Sequence, residues 1–259
     1  MKTIKSKHIV FITGAFVTAD AWQEWQVFFS ERGYQTSAPA WPHKDAPACT
    51  LRQRHPDPAI ASLRLETLIE YFIRTIVNLP EKPILIGHSM GGLIAQILVN
   101  RGYAAGAIAI HSLQPKGVFT FKFSFYKAGW GPLGFFTSTK KSFLMTFREW
   151  QYAFTNGMSY EEQKEGYYNF LTPESKLLIR DGISDAAKVD FKKAHAPLLF
   201  VAGGSDNFIP ASLNFSNFKK YSHEQSVTDY TEFPGRNHFV LGQSGWEDVA
   251  QYIFTWLNN

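Results

Sequence analysis

The sequence is poor in cysteine and has no long hydrophobic run. Cys49 is the only cysteine among 259 residues, so an internal disulfide is excluded and no cysteine cluster could bind a metal. No apolar stretch reaches the length of a membrane span. The basic residues 1–8 precede only a short apolar segment and no small-residue cleavage site, which argues against a secretory signal. We therefore expect a cytoplasmic protein without stable membrane insertion.

Acidic residues are missing from a long part of the chain. The net charge is only +4 and no clustered nucleic-acid-binding motif is present, so nucleic acid is not an expected partner. The segment between Glu81 and Glu149, however, contains no acidic residue. In the second half of this segment, aromatic residues are interleaved with lysine and arginine. One interpretation is that lysines face water over packed aromatics. The functional interpretation is an apolar pocket with a cationic rim, suited to an amphiphilic ester with an anionic end or to a lipid surface.

The remaining composition is that of a globular protein with a sizeable core. Hydrophobic residues make up 45% of the sequence and charged residues 19%. The length allows one large α/β domain or a core domain that carries an insertion. The sequence contains no internal repeat and no low-complexity tract.

Strand and helix patterns alternate along most of the chain. Apolar runs predict strands at residues 9–12, 34–41, 84–86, 107–110, 198–202 and 229–233. Amphipathic spacing predicts helices at residues 21–32, 58–79, 93–99, 213–218 and 246–257, and proline predicts a surface loop over residues 42–58. This alternation predicts an α/β fold with a mostly parallel sheet covered by helices on both faces.

The pattern changes between residues 115 and 194. Residues 118–125 alternate phenylalanine with polar residues, a period of two that is typical of a strand. The rest of the segment is aromatic and only weakly strand-like, so we interpret it as an inserted, mostly helical lid. The predicted domains are an α/β core, residues 1–114 and 195–259, and a lid, residues 115–194.

The strongest local signal is Gly-His-Ser-Met-Gly at residues 87–91. A strand pattern ends at its first glycine and a helix pattern follows it, which is the setting of a nucleophile elbow. Side chains at Gly87 or Gly91 would collide with neighbouring backbone. Ser89 would also lie at a helix N-terminus, where free N–H groups can face an oxyanion. We therefore expect Ser89 to be a catalytic nucleophile.

A serine nucleophile needs a base, and the base needs a group that orients it. In a parallel α/β sheet such residues lie just past the carboxyl ends of the strands. Asp206 follows the strand at 198–202, and His238 follows the strand at 229–233. The order Ser89, Asp206, His238 is the order found in α/β-hydrolases.

Other interpretations exist for several of these residues. Asp206 could be a turn or N-cap aspartate, and Asp185 or Asp190 could serve in its place, although both fall in the expected lid. The other seven histidines are not expected at a matching strand end, and His88 is expected to pack beside the elbow. No spacing of histidine, cysteine and aspartate indicates a metal site.

With these motifs, the chain resembles the α/β-hydrolases of the lid-bearing esterase, lipase and hydroxynitrile-lyase type over residues 9–257. The resemblance implies that Ser89 is the nucleophile, that His238 is the general base and then acid, and that Asp206 orients the imidazole. It also implies that the lid is inserted after the sixth strand of the family's sheet.

The resemblance further implies an oxyanion hole formed by the backbone N–H groups of Ala15 and Met90. The sequence departs from the family at two points. Thr13-Gly14 stands where the family often has His-Gly, and only eight residues precede Ile9, too few for the family's usual first two strands.

These features predict a serine hydrolase that cleaves the ester of a small or medium apolar acid through an acyl-enzyme, without a cofactor. The predicted substrate contacts are Phe16, Trp130 and Phe239. The same triad could instead hydrolyse a C–C bond, thioester or lactone, or act as a cyanohydrin-type lyase. Dehalogenases and epoxide hydrolases are disfavoured because they have aspartate at the position of Ser89. A ligand-sensing module is the alternative from another class, and the oligomeric state stays open.

Overall fold

Six strands form one parallel sheet in the computed structural model, which describes residues 4–259. The neighbouring strands pair in the order β2-β1-β3-β4-β5-β6, and every pairing is parallel. The strands are β1 (His8–Ile12), β2 (Gln35–Ser37), β3 (Ile84–His88), β4 (Gly106–Ile110), β5 (Leu198–Gly203) and β6 (Thr228–Phe233). The predicted parallel α/β sheet is confirmed.

The three strands that matter most for the site are buried along their whole length. Every residue of β3, β4 and β5 is buried, because helices cover both faces of the sheet at these strands. Their sequences are therefore continuous apolar runs rather than alternating ones. The edge strand β6 is only partly buried, and four of its six residues are polar.

Helices follow most strands at the expected places. They are α1 (Gln23–Ser30), α2 (Ala48–Gln53), α3 (Pro58–Ala61), α4 (Leu65–Val77), α5 (Met90–Asn100), α6 (Phe123–Leu133), α7 (Phe147–Ala153), α8 (Tyr160–Phe170), α9 (Lys176–Asp181), α10 (Ala211–Phe218) and α11 (Trp246–Asn258), with 3-10 turns at Ala19–Trp22 and Asp185–Ala187. Within residues 4–259, none of these helices has both the length and the apolar character that crossing a bilayer requires.

The expectation of a single helix over residues 58–79 is wrong, because a break separates α3 from α4. Arg64, in the break, has an extended backbone and pairs with Asp181 through two contacts of 2.7 Å. The same carboxylate accepts a hydrogen bond from the N–H of Leu65 and so caps α4. The expected loop over residues 42–58 also contains the short helix α2.

Between β4 and β5 the chain forms helices α6 to α9, in line with the expected helical character of this segment. The strand-like alternation at residues 118–125 is misleading, since Phe119 and Phe121 lie outside any strand and Phe123 begins α6. Both edges of β4 are already occupied by β3 and β5, so this segment has no partner strand there. The role of the segment as a lid and the division into two domains stay predictions.

A buried ion pair ties the loop after β2 to the segment that precedes α9. Lys44 Nζ lies 2.8 Å from Glu174 Oε2, and both side chains are almost fully buried. The same Oε2 accepts a hydrogen bond from the backbone N–H of Phe16 at 3.1 Å. Because each buried charge is tolerated only through its partners, the pair holds the loop in place.

We expect Lys44→Met to lower the free energy of unfolding by about 3–5 kcal/mol, because it leaves Glu174 charged and buried without its partner. The double variant Lys44→Met/Glu174→Gln should recover part of this loss. Guanidinium denaturation measures both changes.

The matched control is Lys188→Met, because Lys188 pairs with Asp185 at the surface, where both side chains are about two-thirds exposed. The free energy of unfolding of Lys188→Met should fall by no more than about 1 kcal/mol. Equal losses in Lys44→Met and Lys188→Met would contradict the importance of the buried pair.

Candidate active site

Ser89 stands on a sharp turn between β3 and α5. Its backbone has φ 55° and ψ −117°, a conformation that few residues other than glycine adopt. A Cβ atom at Gly87 would lie 2.1 Å from the carbonyl oxygen of Gly91, and a Cβ atom at Gly91 would lie 2.0 Å from that of Ile12. The predicted collisions are confirmed, so the turn requires glycine at both positions.

Three side chains from distant parts of the sequence meet at the carboxyl ends of the strands. His238 Nε2 lies 3.0 Å from Ser89 Oγ, and His238 Nδ1 lies 2.7 Å from Asp206 Oδ2. All three residues are buried. With its proton on Nδ1, the ring donates to the carboxylate and offers Nε2 as an acceptor to the serine hydroxyl.

The carboxylate of Asp206 is held from both sides. Its Oδ1 accepts hydrogen bonds from the backbone N–H groups of Phe208 and Ile209, at 2.8 and 2.7 Å. Burial alone would raise the pKa of Asp206, but His238 and His111 beside Oδ2 outweigh burial and hold this pKa well below its usual range. Asp206 is therefore an ionised carboxylate at neutral pH.

The two alternative acids lie elsewhere in the fold. Asp185 is exposed and forms ion pairs with Lys116 and Lys188. Asp190 accepts a hydrogen bond from the backbone N–H of Lys192 through Oδ1, at 3.0 Å. Of the three candidate acids, Asp206 is the one that the structure brings to His238.

Sequence reasoning missed His111, and the expectation that it lacks a strand-end position was wrong. It follows β4 directly, and its Nδ1 lies 3.0 Å from Asp206 Oδ2, although not aligned for a hydrogen bond. A Cβ atom at Gly203 would lie 2.3 Å from Cε1 of His111, so the glycine that ends β5 makes room for the ring. The signal was present, since polar residues after buried parallel strands gather at one edge of the sheet.

His88 packs beside the elbow, as expected. Its Nε2 lies 2.8 Å from the backbone oxygen of His238 and donates a hydrogen bond to it. Ring nitrogens of His88, His111 and His238 lie within 4.8 Å of one another, a spacing that could hold a metal ion. A metal ligand at His238 would give up its contact with Ser89 or Asp206, so the arrangement suits hydrogen bonding better.

Aromatic rings fix the orientation of His238. The rings of Phe154 and Phe208 lie 4.8 and 5.0 Å from the imidazole, measured between ring centroids. The side-chain amide of Asn237 donates to the backbone oxygen of Asn156, which ties the histidine loop to the segment between β4 and β5. These contacts restrict the ring to the position that faces Ser89.

The oxyanion hole expected from the amides of Ala15 and Met90 stays a prediction, but the structure brings both residues to the cavity of Ser89. Among the described residues 4–259, neither N–H donates a hydrogen bond to the backbone or a side chain. The loop comes close to the serine because Gly14 has no side chain, since a Cβ atom there would lie 2.8 Å from Ser89 Cβ.

The cavity above Ser89 has a volume of about 430 Å³, which falls in the range of small-molecule sites. Its walls are mostly apolar and include Leu113, Val118, Phe119, Phe125, Trp130, Leu133, Ile179 and Phe208. Of the three predicted substrate contacts, only Trp130 lines this cavity. Helices α6 and α9 supply part of the wall, so the segment between β4 and β5 shapes the site.

Phe16 and Phe239 do not line this cavity. Phe16 has φ 70° and is fully buried, and its ring packs edge-on against Phe143 and Phe154. Phe239 is buried against Trp150. Phe16 and Phe239 were expected to contact substrate, next to Ala15 and His238 in the sequence. Their side chains instead pack into the core and point away from the cavity.

A serine elbow at the carboxyl edge of a parallel sheet, beneath an apolar cavity, defines the α/β-hydrolase class of protein. The model of the alpha/beta hydrolase family matches residues 9–252, so this chain belongs to that family and is a hydrolase.

Solved structures of this fold superpose over almost the whole chain. Tomato methylketone synthase I, bound to 2-tridecanone, is 17% identical with a TM-score of 0.70 and 98% coverage of each chain. A monoacylglycerol lipase from Paleococcus ferrophilus is 18% identical with a TM-score of 0.68, covering 99% of this chain and 96% of its own. A methylesterase from Arabidopsis is 15% identical with a TM-score of 0.66, covering 96% and 98%. No curated protein sequence matches this chain significantly.

We expect acid to destabilise the fold through its buried histidines. Burial lowers the pKa of His88 well below its usual value of 6.5 and also lowers that of His111. As pH falls below about 6.5, the unfolded chain binds protons that the folded chain does not, so the free energy of unfolding decreases between pH 7 and pH 5. His88→Gln keeps a donor for the His238 carbonyl and should make this decrease smaller by up to about 2 kcal/mol.

Guanidinium denaturation at pH 7 and pH 5 measures this difference. His43→Asn is the control, because His43 is exposed and asparagine tolerates its positive φ of 66°. An unchanged pH dependence in His88→Gln would show that His88 is not the source of the acid sensitivity.

Proposed function

We propose that the protein is a serine esterase that cleaves carboxylic esters of small or medium apolar acids through an acyl-enzyme. The observation that carries the proposal is the continuous contact from Ser89 through His238 to Asp206 at the base of an apolar cavity. A methylesterase and a monoacylglycerol lipase among the similar structures are ester hydrolases by name, which agrees with this choice.

In the first step, Ser89 Oγ attacks the ester carbonyl carbon while His238 Nε2 takes the hydroxyl proton. The ionised Asp206 stabilises the imidazolium that forms, because its Oδ2 accepts from Nδ1 at 2.7 Å. The carbonyl oxygen becomes an oxyanion and accepts hydrogen bonds from the N–H groups of Ala15 and Met90. Met90 follows the nucleophile in the elbow and Ala15 lies in the loop after β1, and both residues line the cavity with Ser89.

In the second step, the imidazolium of His238 returns its proton to the leaving alkoxide, and the C–O bond breaks to give an alcohol and an acyl-enzyme. A water molecule then attacks the acyl carbon while His238 takes its proton. Collapse of the second tetrahedral intermediate releases the carboxylic acid and returns the proton to Ser89. The protein groups alone balance every proton transfer, so the proposed mechanism uses no cofactor.

The segment between β4 and β5 is proposed to act as the lid of this site. It contributes Phe119, Phe125 and Trp130 to the cavity walls. Asn156 in the same segment donates a hydrogen bond to the backbone oxygen of Ser205, next to Asp206. The segment thus reaches both the apolar wall and the acid loop, which is the position that a specificity-determining lid requires.

Ser89→Ala should lower the turnover of p-nitrophenyl butyrate by a factor on the order of 10⁴ or more, because it removes the nucleophile. A fluorophosphonate should label the native protein at residue 89, and mass spectrometry locates the label. Ser216→Ala, at an exposed serine of α10, is the control and should keep full turnover. Unchanged turnover in Ser89→Ala would refute the assignment, whereas labelling with almost no native turnover would favour the ligand-sensing alternative.

The cavity should favour apolar acyl chains over acetate. Each buried methylene contributes about 0.8 kcal/mol, so kcat/KM should rise about tenfold from p-nitrophenyl acetate to butyrate. The increase should continue until the chain fills the cavity of about 430 Å³. Kinetics over a series from two to twelve acyl carbons tests this, and an optimum at acetate would contradict the apolar-pocket assignment.

A further inference from the structure

Half of the most exposed large hydrophobic side chains in residues 4–259 lie between positions 119 and 136. All of them are aromatic, and their exposed fractions range from 52% to 98%. We call this group the aromatic rim, and it consists of Phe119, Phe121, Phe123, Tyr126, Trp130, Phe135 and Phe136. Monomeric proteins seldom expose so much apolar surface in one place unless it binds something.

Four residues of the aromatic rim lie at the entrance of the cavity that leads to Ser89. Phe119, Tyr126, Trp130 and Phe135 line the cavity although more than half of each side chain is exposed. Phe136 extends the patch outward, with its ring 6.4 Å from that of Trp130. The apolar surface therefore continues without interruption from the outside of the protein to the candidate nucleophile.

Cations that have no acidic partner among the described residues flank the aromatic rim. Within residues 4–259, Lys122, Lys140 and Lys141 form no ion pair, and all three are exposed. On the side of Phe135, the guanidinium of Arg180 lies 5.5 Å from the ring centroid. Asp185 is already paired with two lysines, whereas Glu149, which forms no ion pair in the described part of the chain, lies near Gly131 of α6 and caps α7.

We propose that the aromatic rim docks on the surface of an anionic phospholipid bilayer, from which an amphiphilic ester enters the cavity. Aromatic side chains prefer the interfacial region of a bilayer, and unpaired lysines are attracted to anionic head groups. A second copy of the chain would bring like charges together. A protein partner on the rim would close the entrance, whereas a bilayer places amphiphiles directly at it.

Docking does not depend on the esterase assignment, and only the delivery of an ester rests on the proposed function. The test uses the full chain and vesicles of phosphatidylglycerol and phosphatidylcholine in equal amounts, compared with pure phosphatidylcholine. We expect cosedimentation to be at least tenfold stronger with the anionic vesicles and to weaken in 0.5 M NaCl. Ser89→Ala should bind vesicles as the native protein does.

The decisive variant is Phe121→Ser/Phe123→Ser/Phe136→Ser, because these three rings do not line the cavity. It should bind anionic vesicles at least tenfold more weakly while hydrolysing soluble p-nitrophenyl butyrate at the native rate. Its turnover of a long-chain ester dispersed in the vesicles should fall together with binding. Val77→Ser/Tyr252→Ser, at exposed apolar residues elsewhere, is the matched control and should bind normally.

Three outcomes would overturn the proposal. The first is native protein that does not sediment with either kind of vesicle, and the second is an aromatic triple variant that binds as well as the native protein. The third is dimerisation at micromolar concentration that the triple variant abolishes, since the rim would then be an interface between copies. Failure of the esterase assignment would instead appear as loss of soluble-ester turnover with vesicle binding intact.

Discussion

The site depends on one carboxylate that is buried and charged. Burial disfavours the ionised form of Asp206, so the charge persists only because two backbone N–H groups hold Oδ1 and two histidines face Oδ2. With the carboxylate fixed, the Nδ1–H of His238 is fixed, and Nε2 points at Ser89. His111 and His88 add no further charge to the site, because burial lowers the pKa of both rings and keeps them neutral at neutral pH.

Three close approaches bring this constellation together, and each requires glycine. Gly87 and Gly91 allow α5 to start against the end of β1, which sets the serine above the sheet. Gly203 leaves space for His111 between β5 and the loop that carries His238. A side chain at any of these positions would push apart elements whose spacing of a few ångströms decides whether a proton can pass from serine to histidine.

The sequence predicts the parts of the site that local chemistry determines and misses those that distant contacts determine. The elbow and the strand ends before Asp206 and His238 are local patterns, so they are recognisable. The break between α3 and α4 depends on Asp181, more than a hundred residues away. The inward turn of Phe16 likewise depends on rings that approach it only in the folded chain. His111 was predictable in principle, because it directly follows a buried strand.

Helix α6 explains why the entrance of the cavity is aromatic on its outer side. Its buried residues are Ala128, Gly129 and Pro132, which are small or compact, whereas Tyr126 and Trp130 are exposed. This arrangement is the reverse of an ordinary amphipathic helix, which buries its largest apolar side chains. Small residues bring α6 close to the core, and the large rings then gain burial only from a ligand in the cavity or a surface outside it. In the free chain, α6 therefore buries little apolar surface. It would bury most of its apolar surface when a ligand or another surface covers the entrance of the cavity.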